Sequence, residues 1–313
     1  MNRIAVIALT LAGVFWGLGF PLGKIAQREM SSVDMVLLRF VAAAVVALPF
    51  ALRRAESRAL FRSPAIVFGG VLYGVAFVVQ FEGLAHTSVA LAALLVGAMP
   101  ALIAVSARLL GERVSRASWA GVAAATLGAA LIAGKPGAAG TPLGVALSLG
   151  SLPIFLAWLY VLRRAPSPPT PMAIPAVTMI VAAAAVLPIA LILHGPPRLD
   201  VSPTAWACIV GQGLLSTFLA TAAWQFGSAR VGSASAGVFI NIEPLMGAAI
   251  GILLFGDRMT TALALGGLCI IGGSVVVVLG ERQGDVGRSS DRPTPEPSDA
   301  AQDQNATQLP PRQ

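Results

Sequence analysis

The sequence predicts an all-α integral membrane protein with ten transmembrane helices, arranged as two inverted five-helix repeats. Three observations lead there. The 313 residues are 56% hydrophobic and only 11% charged, whereas soluble domains carry roughly 25% charged residues; a globule of this size would still need a polar skin. Apolar windows of about twenty residues, the length that spans a bilayer, recur along the whole chain. And one segment is written twice: "MPALIAVSARLLGER" at 99–113 returns as "EPLMGAAIGILLFGDR" at 243–258.

The first window, within "MNRIAVIALTLAGVFWGLGFPLGK", has the positive start and apolar run of a signal peptide. It lacks a small-x-small cleavage signal and runs on into "IAQREM" and another apolar run, so it reads as a retained first helix over 4–24. Further spans are predicted at 33–52, 65–84, 88–108, 117–134, 142–162, 173–193, 204–226, 233–255 and 261–279. The window at 173–193 contains Pro175 and Pro188. Membrane helices tolerate proline because neighbours and local distortions re-satisfy the freed backbone groups. From Glu281 the text becomes polar and Pro-rich and has no aromatic residue. Such a stretch cannot bury enough apolar area to offset its ordering entropy, so 281–313 is expected to be a disordered tail.

Basic residues sort by side. Arg3, the cluster Arg53, Arg54, Arg58 and Arg62, then Arg113, Arg116, Arg163, Arg164 and Arg230 fall on one face, while the other holds only Arg28, Lys135, Arg198 and Arg258. The bias toward one face places both termini in the cytoplasm of a cell whose inner membrane the chain spans. It also accounts for the net charge of +7 without nucleic acid, since no basic stripe with stacking aromatics is present. Cys208 and Cys269 lie in apolar runs without ligand spacing and predict neither a disulfide framework nor a metal site.

Aligning Pro100 with Pro244 extends the match in both directions. Gly83, Ala85, Ala90 and Ala92 meet Gly227, Ala229, Ala234 and Ala236, while Gly121 and Gly128 meet Gly266 and Gly273. The chain therefore divides into five-helix copies at 1–134 and 142–280. An odd number of helices inserts the second copy upside down, an arrangement that serves secondary transporters because inverted halves can exchange roles.

The segments "VFWGLGFPLGK", "LLRFVAAAVVALPF" and "LAHTSVALAALLVGAMPALIAVSARLLGERVSRASWAGVAAATLGAALI" with its second copy resemble the EamA family of the drug/metabolite transporter superfamily over residues 4–280. The resemblance implies a ten-helix bundle of two inverted repeats, a central cavity, and movement of small metabolites or amino acids, often outward. Asp257 stands where that pattern usually has Glu.

A polar group at the membrane midplane is costly and so a functional candidate. Glu243 is expected about ten residues into its helix, directly before Pro244, which cannot donate its backbone bond and can bend the helix there. Asn241 adds an amide. Pro100 is the symmetry mate of Pro244 but lacks an acidic neighbour. Arg39 and Glu82 are expected near the outer ends of their helices, where they could pair, with Lys24 snorkelling close by. Trp16, Phe20, Trp158, Tyr160, Trp224, Gln225 and Gln80 could line an amphipathic cavity.

The expected function is a secondary transporter of small metabolites or amino acids in the cell's inner membrane, an exporter coupled to protons or working by exchange. A membrane-embedded enzyme is the first alternative, but His86 and His194 are far apart in loops and no HExxH or Ser–His arrangement appears. A non-transporting sensor or scaffold is the other. No Walker motif is present, and neither a cofactor nor a metal is expected. Ten helices suffice for a cavity within one chain, so monomer and homodimer are both compatible.

Overall fold

The computed structural model describes residues 3–134, 140–231 and 236–290. The chain is all-α; among the described residues the only bridge is between Thr87 and Gly140. Among the described residues nine helical segments are long and apolar enough to cross a membrane. They comprise α1 (Arg3–Ala26), α2 (Ser32–Leu52), α4 (Pro64–Ala85), the pair α5 (Val89–Val96) and α6 (Met99–Leu109), α8 (Pro142–Leu162), α9 (Ala173–His194), the run from α10 (Pro203–Gly211) to α11 (Ala220–Val231), the run ending in α12 (Ile242–Phe255), and α13 (Thr261–Ser290). A shorter apolar helix, α7 (Arg116–Gly134), lies between the fourth and fifth of these, and α3 (Ala55–Ala59) is a single surface turn.

Alternate helices run in opposite directions, which gives the bundle a near end, where the chain begins, and a far end. Helices starting at the far end are capped by short hydroxyl side chains. Ser31, Ser88, Thr141 and Ser202 accept from the backbone N–H groups of Asp34, Leu91, Gly144 and Ala205. Each satisfies a donor that a helix leaves orphaned at its start. Leu109, Ile192 and Leu253 are about four-fifths exposed, a distribution that suits lipid rather than water.

Three of the predicted spans are broken. The span at 88–108 turns at Gly97 and Ala98, and Pro100 sits in the first turn of α6, where its missing N–H is harmless. The span at 233–255 carries a 3₁₀ segment, Gly237–Asn241, before α12 begins; residues 232–235, and with them Ala234, lie outside the described residues. Between α10 and α11 the chain winds as a π-helix over Gln212–Leu219. By contrast α9 crosses without interruption despite Pro188. Helix α13 runs on to Ser290, past the tail boundary expected at 280; 291–313 and Lys135 lie outside the described residues.

The doubled sentence ends in the same backbone feature in both places. Gly111 has φ +86° and Gly256 φ +69°, left-handed conformations that close a helix and that a Cβ would strain. Small residues also set the closest helix crossing, between α7 and α13. Gly121 lies against the backbone of Gly273, and Gly128 against that of Gly266. Nearest-approach packing of this kind is how helices associate in lipid, where no hydrophobic force drives them together.

Candidate functional site

The centre of the bundle is built around Arg39. The π-helix positions it. Thr217 donates its hydroxyl to the Gln212 carbonyl (3.1 Å), five residues back, and accepts from Arg39 Nε at 2.7 Å. Gly213 lets α2 come close, since a Cβ there would lie 2.7 Å from the Arg39 carbonyl oxygen. Gln212 in turn donates to the Gly19 carbonyl (2.6 Å), which ties the wide turn to α1 as well. Such π segments inside α-helices are frequent at functional sites.

Arg39 is 2% exposed. A charged side chain at mid-membrane costs about 2.5–3.5 kcal/mol on insertion scales, and aromatic rings offset part of this. The guanidinium carbon lies 4.2 Å from the Phe77 ring centroid and 5.1 Å from that of Phe81, within cation–π range. Tyr73, Phe77 and Phe81 follow each other at four-residue spacing on α4. Their cluster takes in Trp158 (4.6 Å from Tyr73), Phe155 (5.0 Å from Phe77) and Phe20 (6.2 Å from Phe81). Within this box two donors, Arg39 Nη1 and Trp158 Nε1, are buried without an acceptor.

Glu243 completes the centre. It lies in the first turn of α12, not ten residues into a helix, because the 3₁₀ segment delays the α-helix until Ile242. That turn carries the positive end of the helix dipole. Its carboxylate is partly accessible, and among the described residues no hydrogen bond or ion pair holds it. The charge it faces electrostatically is Arg39. Pro244 is buried and packs toward the break at Gly97, so the two interrupted helices meet at their interruptions. Asn241 spends its amide on its own turn, donating to Val238 O at 3.3 Å.

The expected Arg39–Glu82 pair is not formed. Glu82 is at the far-end surface beside His86 (3.3 Å), whereas Arg39 points inward to Thr217 and the rings. Trp16 and Trp224 pack together at 5.3 Å, with Gln225 partly exposed beside them. Tyr160 shares a 2.8 Å hydrogen bond with Ser106 toward the near end, and Gln80 is buried on α4. Thus Arg39, Phe20 and Trp158 share the aromatic cluster, Glu243 and Pro244 lie at the break facing Gly97, Pro100 starts α6 just beyond that break, and Glu82 and Tyr160 belong to the two ends. Thr217, Tyr73, Phe77 and Phe155 were not among the sequence candidates.

The ends differ. At the far end Lys24 does not snorkel freely; it donates to the carbonyls of Leu84 (2.7 Å), Ala85 (3.2 Å) and Thr87 (2.7 Å). Asp257, from the other half of the chain, accepts from the Ala90 N–H at 2.8 Å. Both residues clamp the α4–α5 joint, above a shallow surface cavity of about 380 Å³. Glu29 accepts from Ser202 N and Oγ (2.7 and 2.5 Å), and these bonds hold its pKa below the usual carboxylate value. At the near end Glu112 and Arg163 also link the two halves, 3.5 Å apart with both side chains more than half exposed.

Comparison with known proteins fits this architecture. The model of the EamA-like transporter family matches residues 3–134 and again 142–279. The chain belongs to the EamA-like transporter family. As such it is a multi-pass membrane transporter acting on a small molecule. An uncharacterized protein of Pseudomonas aeruginosa, PA1977, is 32% identical over 84% of this chain and 89% of its own length. A protein of Streptantibioticus cattleyicolor named as a probable terminal-alkyne amino-acid exporter is 26% identical, over 89% of this EamA-like chain and 96% of that one. The uncharacterized transporter YyaM of Bacillus subtilis is 25% identical over 79% and 85%. A protein of known crystal structure shares the fold, with a TM-score of 0.63 at 20% identity over 89% of this chain and 98% of that one.

Proposed function

We propose that this EamA-like transporter exports small metabolites or amino acids across the inner membrane by alternating access of two inverted five-helix halves, with Glu243 as the group that couples substrate to protons or exchange. The observation that carries the reading is the reciprocity of the α7–α13 crossing. Gly121 and Gly266 are equivalent in the two copies, as are Gly128 and Gly273; the contacts run Gly121 to Gly273 and Gly128 to Gly266. A pair that meets its partner's mate in this way is what a two-fold axis requires. Inverted halves of this kind expose one central site to each side in turn.

The unequal ends support the same reading. Asp257 corresponds across the repeat to Glu112; Lys24 lies beside Asp257 at the far end, and Arg163 pairs with Glu112 at the near end. The first pair clasps the α4–α5 joint, whereas the second is a single contact between side chains more than half exposed, so the two ends are held differently. The name of the Streptantibioticus relative favours amino acids as cargo and outward movement. Metabolite profiles of the medium test this: strains overexpressing the gene should enrich a small metabolite outside the cell and deletion strains should deplete it. Identical media overturn the export reading.

Orientation and clasp can be read in one labelling experiment. In a background lacking Cys208 and Cys269, Asp200→Cys should react with an impermeant maleimide on intact cells, because basic residues concentrate at the near end and place it in the cytoplasm. Phe20→Cys, one turn inward of Lys24, should be protected there and become reactive when Asp257→Ala, which removes the acceptor for the Ala90 N–H, is added. Reaction of Asp200→Cys only after permeabilisation would reverse the topology, and unchanged protection of Phe20→Cys would remove the clasp.

A further inference from the structure

The aromatic box holds donors but no acceptors for them. Among the described residues Arg39 Nη1 and Trp158 Nε1 are both buried and unpaired, in a region where an unmet donor cannot fall back on water. Nε of Arg39 is committed to Thr217, which leaves the Nη edge of the guanidinium for another group. That edge is planar and two-pronged, the shape that matches a carboxylate with two parallel bonds. Its surroundings are apolar and ring-lined: Phe77 lies at 4.2 Å, Phe81 at 5.1 Å, and Tyr73 and Trp158 stack beside them. Among the described residues Arg39 has no carboxylate bonded to it: Glu243, in the first turn of α12, makes neither a hydrogen bond nor an ion pair with it.

We propose that Arg39 is the carboxylate-binding residue of the transport site, and that the substrates are small carboxylates with an apolar body that lies among Tyr73, Phe77, Phe155 and Trp158. Binding supplies the acceptor the guanidinium lacks and covers the apolar part of the solute with rings that are themselves buried or half-buried. A solute that also carries an ammonium group has Glu243 opposite, but the carboxylate is the obligatory element. This assignment rests on the transporter reading above and on no feature of its coupling.

The test is equilibrium binding to the purified full-length protein in lipid nanodiscs at neutral pH without a gradient, followed by calorimetry. Four probes separate the elements: 3-phenylpropionate, its neutral amide, phenethylamine and acetate. The acid should bind about tenfold or more tightly than the amide, since a bond to a charged partner is roughly twice as strong as a neutral one; acetate, without the apolar body, and phenethylamine, without the anion, should both be weaker. Arg39→Gln should erase the preference for acid over amide, and Arg39→Lys, a point charge without the fork, should restore part of it. Should Arg39→Gln fail to fold, the acid–amide comparison on the unmodified protein decides alone. Equal affinity for acid and amide, no binding of the acid, or an undiminished preference in folded Arg39→Gln each overturn the proposal. Glu82→Gln, at the far-end surface, should keep the preference; loss of pH-driven transport in Glu243→Gln bears on coupling and not on the carboxylate site.

Discussion

Glu243→Gln is expected to reduce pH-gradient-driven accumulation in proteoliposomes to the level of protein-free vesicles while leaving substrate exchange intact. Glutamine keeps the shape and most of the hydrogen-bonding capacity of the acid but cannot take up or release a proton. Glu243 suits the coupling role because it is partly accessible, unpaired among the described residues, and set where two interrupted helices meet near Arg39. A structural carboxyl would be expected to hold a partner, as Asp257 holds the Ala90 N–H. A surface acid gives the control: Glu82→Gln, at the far end, should leave accumulation unchanged. Accumulation by Glu243→Gln equal to that of the unmodified protein would remove Glu243 from the coupling step.

The spans were legible in the sequence because a bilayer imposes its thickness on any helix that crosses it; the caps at their far-end starts, Ser31, Ser88, Thr141 and Ser202, came from the structure. The assembly of the centre was not. Arg39 stood out as an intramembrane charge, but its partner Thr217 lies 178 residues away, and a short-range reading paired it with Glu82 instead. Nothing in "QGLLSTFL" distinguishes a π-helix from an α-helix; the wider turn forms where Gln212 and Thr217 are tied to α1 and α2. The aromatic box did leave a signal, since Tyr73, Phe77 and Phe81 recur at the spacing that stacks side chains on one helix face. In an apolar helix that stripe reads as ordinary core until Phe155 and Trp158 are brought against it. The break before Glu243 was foreshadowed by Pro244, yet the exact residue where 3₁₀ gives way to α depends on the packing of Pro244 toward Gly97.

Substituting leucine at Gly121, Gly128, Gly266 or Gly273 is expected to prevent recovery of folded protein, and the effect should be symmetric between copies. A Cβ on Gly121 would fall well inside contact with the Gly273 carbonyl oxygen, and 2.8 Å from the Val277 backbone nitrogen; one on Gly273 would meet the Gly121 carbonyl and, at 2.7 Å, the Ala125 nitrogen. On the other side of the crossing, a Cβ on Gly266 would lie 2.7 Å from the Gly128 carbonyl oxygen. Backbone atoms cannot rotate away, so the helices must separate and lose the close approach that holds them in lipid. Alanine at any of the four should cost about 1–3 kcal/mol, the usual range for overpacking, and leucine more. The control is Gly272, one residue from Gly273 on the same helix, where a Cβ would meet nothing within 4 Å. Thermal unfolding in detergent, read by size-exclusion chromatography, should rank Gly272→Leu with the unmodified protein. The mates should fall together, Gly121→Ala with Gly266→Ala and Gly128→Ala with Gly273→Ala. If Gly121→Leu and Gly273→Leu elute as stable, monodisperse protein, the crossing is not the fixed contact between the halves, and the two-fold axis that it supports loses its main observation.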